Sequence, residues 1–220
     1  MGNNAASIVE SSYRALYGKL FAALFKQFGA QHVTQIEDAL QNAFHKSLKS
    51  WKPNRIPENK EGWLFIVARN DVLNQIKRQH RPIAPIISTH EAEAQDLRED
   101  LRLKTLLYIA TYRTVPAKTK VVFALKNIFG LHVKEISECT LLSQEAIYKS
   151  ISRAKKDFLS ATGVPPFDTI FEDISEAGIA LVEEIIYAVF NMGFDSFTEK
   201  SESLVNEDLC LEALALGKML

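Results

Sequence analysis

Seven side chains able to hydrogen-bond a nucleic acid crowd into the stretch from Ser143 to Phe158: Gln144, Glu145, Tyr148, Lys149, Ser152, Arg153 and Lys156. At helical periodicity they share one face, with Arg153 at its edge. Ile147, Ile151, Ala154 and Phe158 are spaced four, three and four apart on the other. The apolar face belongs against a core. The polar face carries the groups that pair with base edges and phosphates. Lys149 and Arg153 suit phosphates. Glu145 suits a cytosine amine, or the positive end of the helix dipole in whose first turn it lies.

These groups act only if the helix is held outward. Ser143 is an N-cap, its hydroxyl placed to accept a free N–H of the first turn. A shorter helix is expected over Val133 to Thr140, tied to the longer one by the tight turn Leu141-Leu142. Two helices so closely joined cross steeply, with Ile136, Leu142 and Ile147 at the crossing. That is a helix-turn-helix, which lays its second helix in the major groove. A helical hairpin that only builds a core has the same pattern.

The rest of the chain reads as helical. Ser11 to Phe28 carries a stripe of Leu16, Leu20, Phe21, Leu24, Phe25 and Phe28, and Gly29 stops it. Thr34-Gln-Ile-Glu37 has the form of a capping box, predicting a second helix with Ile36, Ala39, Leu40, Ala43, Phe44 and Leu48 inward. Trp51 to Lys60 is a proline-containing loop. A third helix is predicted over Glu61 to Arg78, with Leu64, Val67, Ala68 and Ile76 on one side. Arg81 to Asp96 reads as a linker. Beyond it, helices are expected from Leu97 to Tyr112 and after Thr114-Val-Pro116, the latter ending at Gly130. Gly163-Val-Pro-Pro166 is a second linker, and Ile179 to Phe190 and Glu207 to Leu220 are apolar-rich helices. The expected fold is all-α: two small helical domains, 8–80 and 97–162, joined by a linker at 81–96. A second linker at 163–168 leads to an acidic helical extension, 169–220.

Charge is divided along this plan. Met1 to Val164 holds 24 Lys+Arg against 15 Asp+Glu, a net of +9. Pro165 to Leu220 holds 2 against 12, a net of −10. The basic part suits a polyanion and the acidic part would be repelled by one. No run of the length of a bilayer span and no signal peptide is apparent. Cys139 and Cys210 are expected to be reduced and mostly buried. The histidines show no zinc-ligand spacing with each other or with the cysteines, and no phosphate loop or nucleophile elbow is present.

"GLHVKEISECTLLSQEAIYKSISRAKKDF" (Gly130 to Phe158) resembles the promoter-reading helix-turn-helix of bacterial sigma factors of the extracytoplasmic-function class. The likeness lies in Gly130-Leu131, Glu135-Ile136 and Arg153-Ala154-Lys155. "IEDALQNAF" (Ile36 to Phe44) is similar to that family's polymerase-clamp helix, and "EGWLFIVARN" (Glu61 to Asn70) to its tryptophan-led promoter helix. "LVEEIIYAVFNMGFDS" and "DLCLEALALGKML" are similar to a helical extension, normally longer, carried by one subgroup. Leu141 stands where many relatives have glycine. Asn42 and Asn74 stand where acidic residues are common, and Tyr148 where lysine is frequent.

The resemblance implies an initiation factor that is not an enzyme, uses no cofactor and no metal, and works in the cytoplasm without a membrane. Its partners would be core RNA polymerase, promoter DNA and an anti-sigma factor or other regulator. It implies polymerase binding through Asp38, Gln41 and Asn42. It implies contacts to the minus-ten element through Asn54, Arg55, Asn59, Lys60, Arg69, Asn70, Asn74, Lys77 and Arg78. Trp51 can stack on an extruded base or plug the core, the commoner use of such a residue. The minus-thirty-five element would be met by Gln144, Glu145, Tyr148, Lys149, Ser152, Arg153 and Lys156. The acidic extension is expected to pack on the basic domains, to recruit a regulator, or simply to add stability. The alternatives are a helix-turn-helix regulator acting without polymerase, and an all-helical scaffold or enzyme with a coincidental hairpin.

Overall fold

The computed structural model describes residues 3–52, 55–79, 99–161, 164, 166–170, 174–194 and 207–220. All regular structure among them is helical. The chain divides into two compact units, Met1–Leu97 and Arg98–Leu220. The expected linker at 81–96 lies outside the described residues.

The first unit is a three-helix assembly of α1 (Asn3–Phe28), α2 (Val33–Ser50) and α3 (Lys60–Gln79), each packed on the other two. Its core is Tyr17, Leu20, Phe21, Leu24 and Phe25 of α1, Ile36, Leu40 and Phe44 of α2, and Leu64, Ala68 and Val72 of α3. α1 starts earlier than its apolar stripe suggests, and Val9 is buried. Gly29 ends it at φ 81°, a conformation open to glycine.

The capping box at Thr34 does not form. A 3-10 turn, Ala30–His32, leads straight into α2, so Val33 is already helical and His32 holds the N-cap position without a side-chain bond. Leu48 was expected inward but is 48% exposed. The buried stripe runs instead through Ser47, whose hydroxyl donates to the Phe44 carbonyl at 2.7 Å, and on to Trp51. In α3, Val67 and Ile76 are half-buried, while Phe65 and Val72 are buried.

The second unit holds α4 (Glu99–Thr111), α5 (Ala117–Asn127), α6 (Val133–Thr140), α7 (Gln144–Ser160), α8 (Glu176–Phe194) and α9 (Glu207–Gly217). Beyond α5, Gly130 turns the chain at φ 65° and the Leu131 N–H donates back to the Leu125 carbonyl at 3.1 Å. α7 packs on α5 and α6, and Phe158 of α7 meets Phe123 and Tyr112 edge-on at 4.9 and 4.8 Å. α8 packs on α4 and α5, and α9 on α8 and α4. The acidic helices are therefore built into the same unit as the helix pair α6–α7.

Two polar residues fasten this core. Arg102 of α4 is buried; its Nη2 donates to the Ile128 carbonyl at 3.0 Å and to Glu212 Oε2 of α9 at 3.1 Å, and its guanidinium stands 5.3 Å from the Phe129 ring centroid. Lys120 of α5 is buried and donates from Nζ to the Ala110 carbonyl at 2.7 Å. A cation thereby meets an otherwise unpaired carbonyl in the last turn of α4, where the dipole is negative. Burial pushes the Lys120 ammonium below its ordinary value.

Two sequence expectations are corrected. α8, at 19 residues, is long and apolar enough to cross a bilayer by length and composition. It is packed against α4, α5 and α9, with 33% of its apolar stretch buried. Cys139 is exposed, whereas Cys210 is buried with its thiol donating to the Phe190 carbonyl at 3.6 Å.

Candidate nucleic-acid interface

The turn between α6 and α7 is held by side-chain bonds at each joint. His132 and Glu135 form a capping box at the start of α6, the His132 N–H donating to Glu135 Oε2 at 2.7 Å. Leu141 then turns the chain at φ 56°, ψ 18°, left-handed despite its Cβ. The Ser137 hydroxyl donates to the Leu142 carbonyl at 2.6 Å and ties the turn back onto α6. Ser143 caps α7 by accepting from the Ala146 N–H at 3.2 Å. Ile136 and Ile147 are fully buried at the crossing, and Leu142 is half-buried.

That seating turns one face of α7 outward. Ile147, Ile151, Ala154 and Phe158 are buried. Gln144, Glu145, Tyr148, Lys149, Ser152, Arg153 and Lys156 are all exposed. Tyr148 is 61% exposed, so its ring is not part of the core. Lys149 Nζ lies 2.6 Å from Glu145 Oε1, one turn away. The lysine assigned to phosphate is thus held by the carboxylate that also lies near the helix N-terminus. At such exposure the pair is weak and easily exchanged for a phosphate. Four cations, with Lys155 half-buried beside Lys149, Arg153 and Lys156, give the face its positive character.

The other site residues lie in the first unit. Asp38, Gln41 and Asn42 are exposed on α2. Asn42 Nδ2 donates to Asp71 Oδ2 of α3 at 2.8 Å, so this side chain ties α2 to α3. On α3, Lys60 and Arg69 are half-buried, and Asn70, Asn74, Lys77 and Arg78 are exposed. Asn59 Oδ1 accepts from the Gly62 N–H at 2.7 Å and so caps α3. A Cβ at Gly62 would meet Asn59 Nδ2 at 2.7 Å, so this close cap needs glycine there. Arg55 is exposed, and Asn54 lies outside the described residues. Trp51 is a core plug, 2% exposed, its ring edge-on to Trp63 at 5.6 Å.

Sequence reasoning missed Arg102, Lys120 and Glu212. A signal existed for the first: Arg102 stands between Leu101 and Leu103, in a helix apolar on nearly every side. Nothing local marked Glu212, which differs from its acidic neighbours only in what it meets.

No family model matches the chain, and no solved structure matches it. Among curated proteins, an uncharacterized protein of Rhizobium meliloti (strain 1021) is 29% identical over 209 residues, covering 90% of this chain and 48% of that protein. The chain spans about half the length of this relative.

Proposed function

We propose that the chain is a transcription initiation factor of the sigma type, which binds core RNA polymerase in the cytoplasm and directs it to promoters. The observation that carries this reading is the outward face of α7. All seven of its hydrogen-bonding side chains are exposed, opposite four buried apolar ones, on a helix capped and crossed by α6. The likeness of Gly130 to Phe158 to a promoter-reading helix adds the class of target.

In this reading there are two DNA-contacting modules joined through the 81–96 segment. α2 offers Asp38 and Gln41 to polymerase. α3 lays Asn70, Asn74, Lys77 and Arg78 along the minus-ten element, while α7 enters the major groove of the minus-thirty-five element. Asn42 and Asn59 act by positioning, since one joins α2 to α3 and the other caps α3. The +9 of residues 1–164 and the −10 of residues 165–220 turn the acidic helices away from DNA.

The test is run-off transcription from a genomic fragment library with purified core enzyme, with and without the chain. Specific transcripts appearing only with both are expected. DNA binding without any capture of core polymerase would instead support a regulator acting alone. Failure to bind any DNA at low salt with polymerase present would leave α6–α7 as a core hairpin.

A further inference from the structure

Of the eleven large apolar side chains exposed among the described residues, six fall on α8, on α9 or just after it: Tyr187, Phe194, Leu211, Leu214, Met219 and Leu220. Such concentration marks an interaction surface, whereas scattered single residues would not. The two helices run antiparallel, because Cys210 meets Phe190 while Gly217 lies over Ile186, where a Cβ would stand 3.6 Å from Ile186 Cγ2. Between them lies an open groove of about 540 Å³, walled by Ile186, Tyr187 and Phe190 on one side and by Leu214 and Leu220 on the other.

Each wall also carries one charge, Glu183 from α8 and Lys218 just after α9, both at the same end of the groove. Neither is in an ion pair with another of the described residues. A groove with one charge of each sign has no preference for a cationic or an anionic partner. It does match itself. A two-fold axis parallel to the helices sets α8 of one copy over α9 of the other, and places each Glu183 opposite the other copy's Lys218. Isologous pairing of this kind closes after two subunits.

We propose that this groove binds a second copy of the chain, forming a symmetric dimer through α8 and α9. The inference stands apart from the function assigned to α7. The acidic segment 165–220, net −10, opposes the pairing at long range, and salt screens that repulsion while leaving apolar contact intact. The dimer therefore tightens as salt rises. An association of acidic helices with the basic segment 1–164 of another copy would loosen instead.

Sedimentation equilibrium of the full chain over a range of concentrations, at low and high salt, tests this. A dimer strengthened by salt is expected. Glu183→Lys and Lys218→Glu should each weaken it by about tenfold, and the double variant E183K/K218E should recover most of the loss. Leu214→Asp should give a monomer with unchanged circular dichroism and melting temperature. A monomer at every concentration overturns the proposal, as it would if some other segment or partner occupied the groove. So does a dimer that salt dissolves, or a double variant no tighter than the single ones.

Discussion

Arg102 and Glu212 are 110 positions apart in the chain, and their side chains meet at 3.1 Å inside the second unit. The arginine side chain is 2% exposed and the glutamate 22%. This contact binds an acidic C-terminal helix to the first helix of the unit that carries α6–α7. The acidic residues of α9 are therefore not all solvent-facing decoration, because one of them neutralises a buried cation.

Removing either partner takes a 3.1 Å charge pair from the other, which is costly in proportion to burial. Arg102→Leu should destabilise the second unit by roughly 3 kcal/mol. Glu212→Gln, which keeps an acceptor, should cost about 1 kcal/mol. Urea denaturation followed by circular dichroism checks both; equal effects from the two substitutions would contradict the assigned pair.

Leu141 holds a left-handed conformation with its side chain 93% exposed. The side chain gains little from packing, and the backbone is strained. Leu141→Gly should stabilise the protein by about 0.5–1 kcal/mol, the relief of strain outweighing the added freedom of the unfolded chain. A rise in melting temperature with unchanged DNA affinity is the expected pair of readings.

Lys149 is paired with Glu145, and in the proposed reading it exchanges that carboxylate for a phosphate. Lys149→Ala should weaken DNA binding by about 1 kcal/mol and lower the salt slope by about one. Glu145→Ala releases the lysine and removes a repulsive carboxylate, so it should strengthen non-specific binding. Fluorescence anisotropy across a salt series separates the two. A promoter whose sequence discrimination falls in Glu145→Ala would place that carboxylate on a base.

Lys120 has a folded-state value lowered from 10.5 by burial. The native state therefore binds fewer protons than the unfolded state between that lowered value and 10.5, and stability from this residue rises with pH through the window. Lys120→Met removes both the titration and the bond to the Ala110 carbonyl, costing about 1–3 kcal/mol. The stability gap between wild type and variant should widen as pH rises through that window, measured by urea unfolding at a series of alkaline pH values.

The two thiols differ in access more than in acidity. Burial raises both, helped at Cys139 by Glu138 and Glu135 and at Cys210 by Glu207. Iodoacetamide at neutral pH should label Cys139 slowly in the native state and Cys210 only after unfolding. Mass spectrometry of the labelled peptides reads this directly.

Helix after helix of this fold can be read from the sequence because amphipathic spacing and glycine stops are local signals. The buried face of α7, the Ser143 cap, and Gly29 and Gly130 as terminators all stand as the periodicity and turn chemistry predict. The outward face of α7 is legible for the same reason, since knowing the inward residues identifies the outward ones. What escapes is non-local. Asn42 and Asn59 look like free ligand-binding groups until the partners Asp71 and Gly62 are placed beside them. Thr34 has capping-box spacing, yet the chain is already helical one residue earlier. α8 shows the limit of composition, because an apolar helix packed on its neighbours can have the hydropathy of one that crosses a bilayer.

The tie between Arg102 and Glu212 also sets an order of events during synthesis. Arg102 leaves the ribosome more than a hundred residues before its counter-charge, with α5 to α8 emerging in between. Until α9 is free, that arginine lacks its contact with Glu212 and the core beneath the α6–α7 pair is incomplete. The first unit can close on contacts within its own sequence, whereas the second must wait for its last helix. A nascent chain cut short before Glu212 would therefore expose a partly built module to chaperones and proteases rather than to DNA.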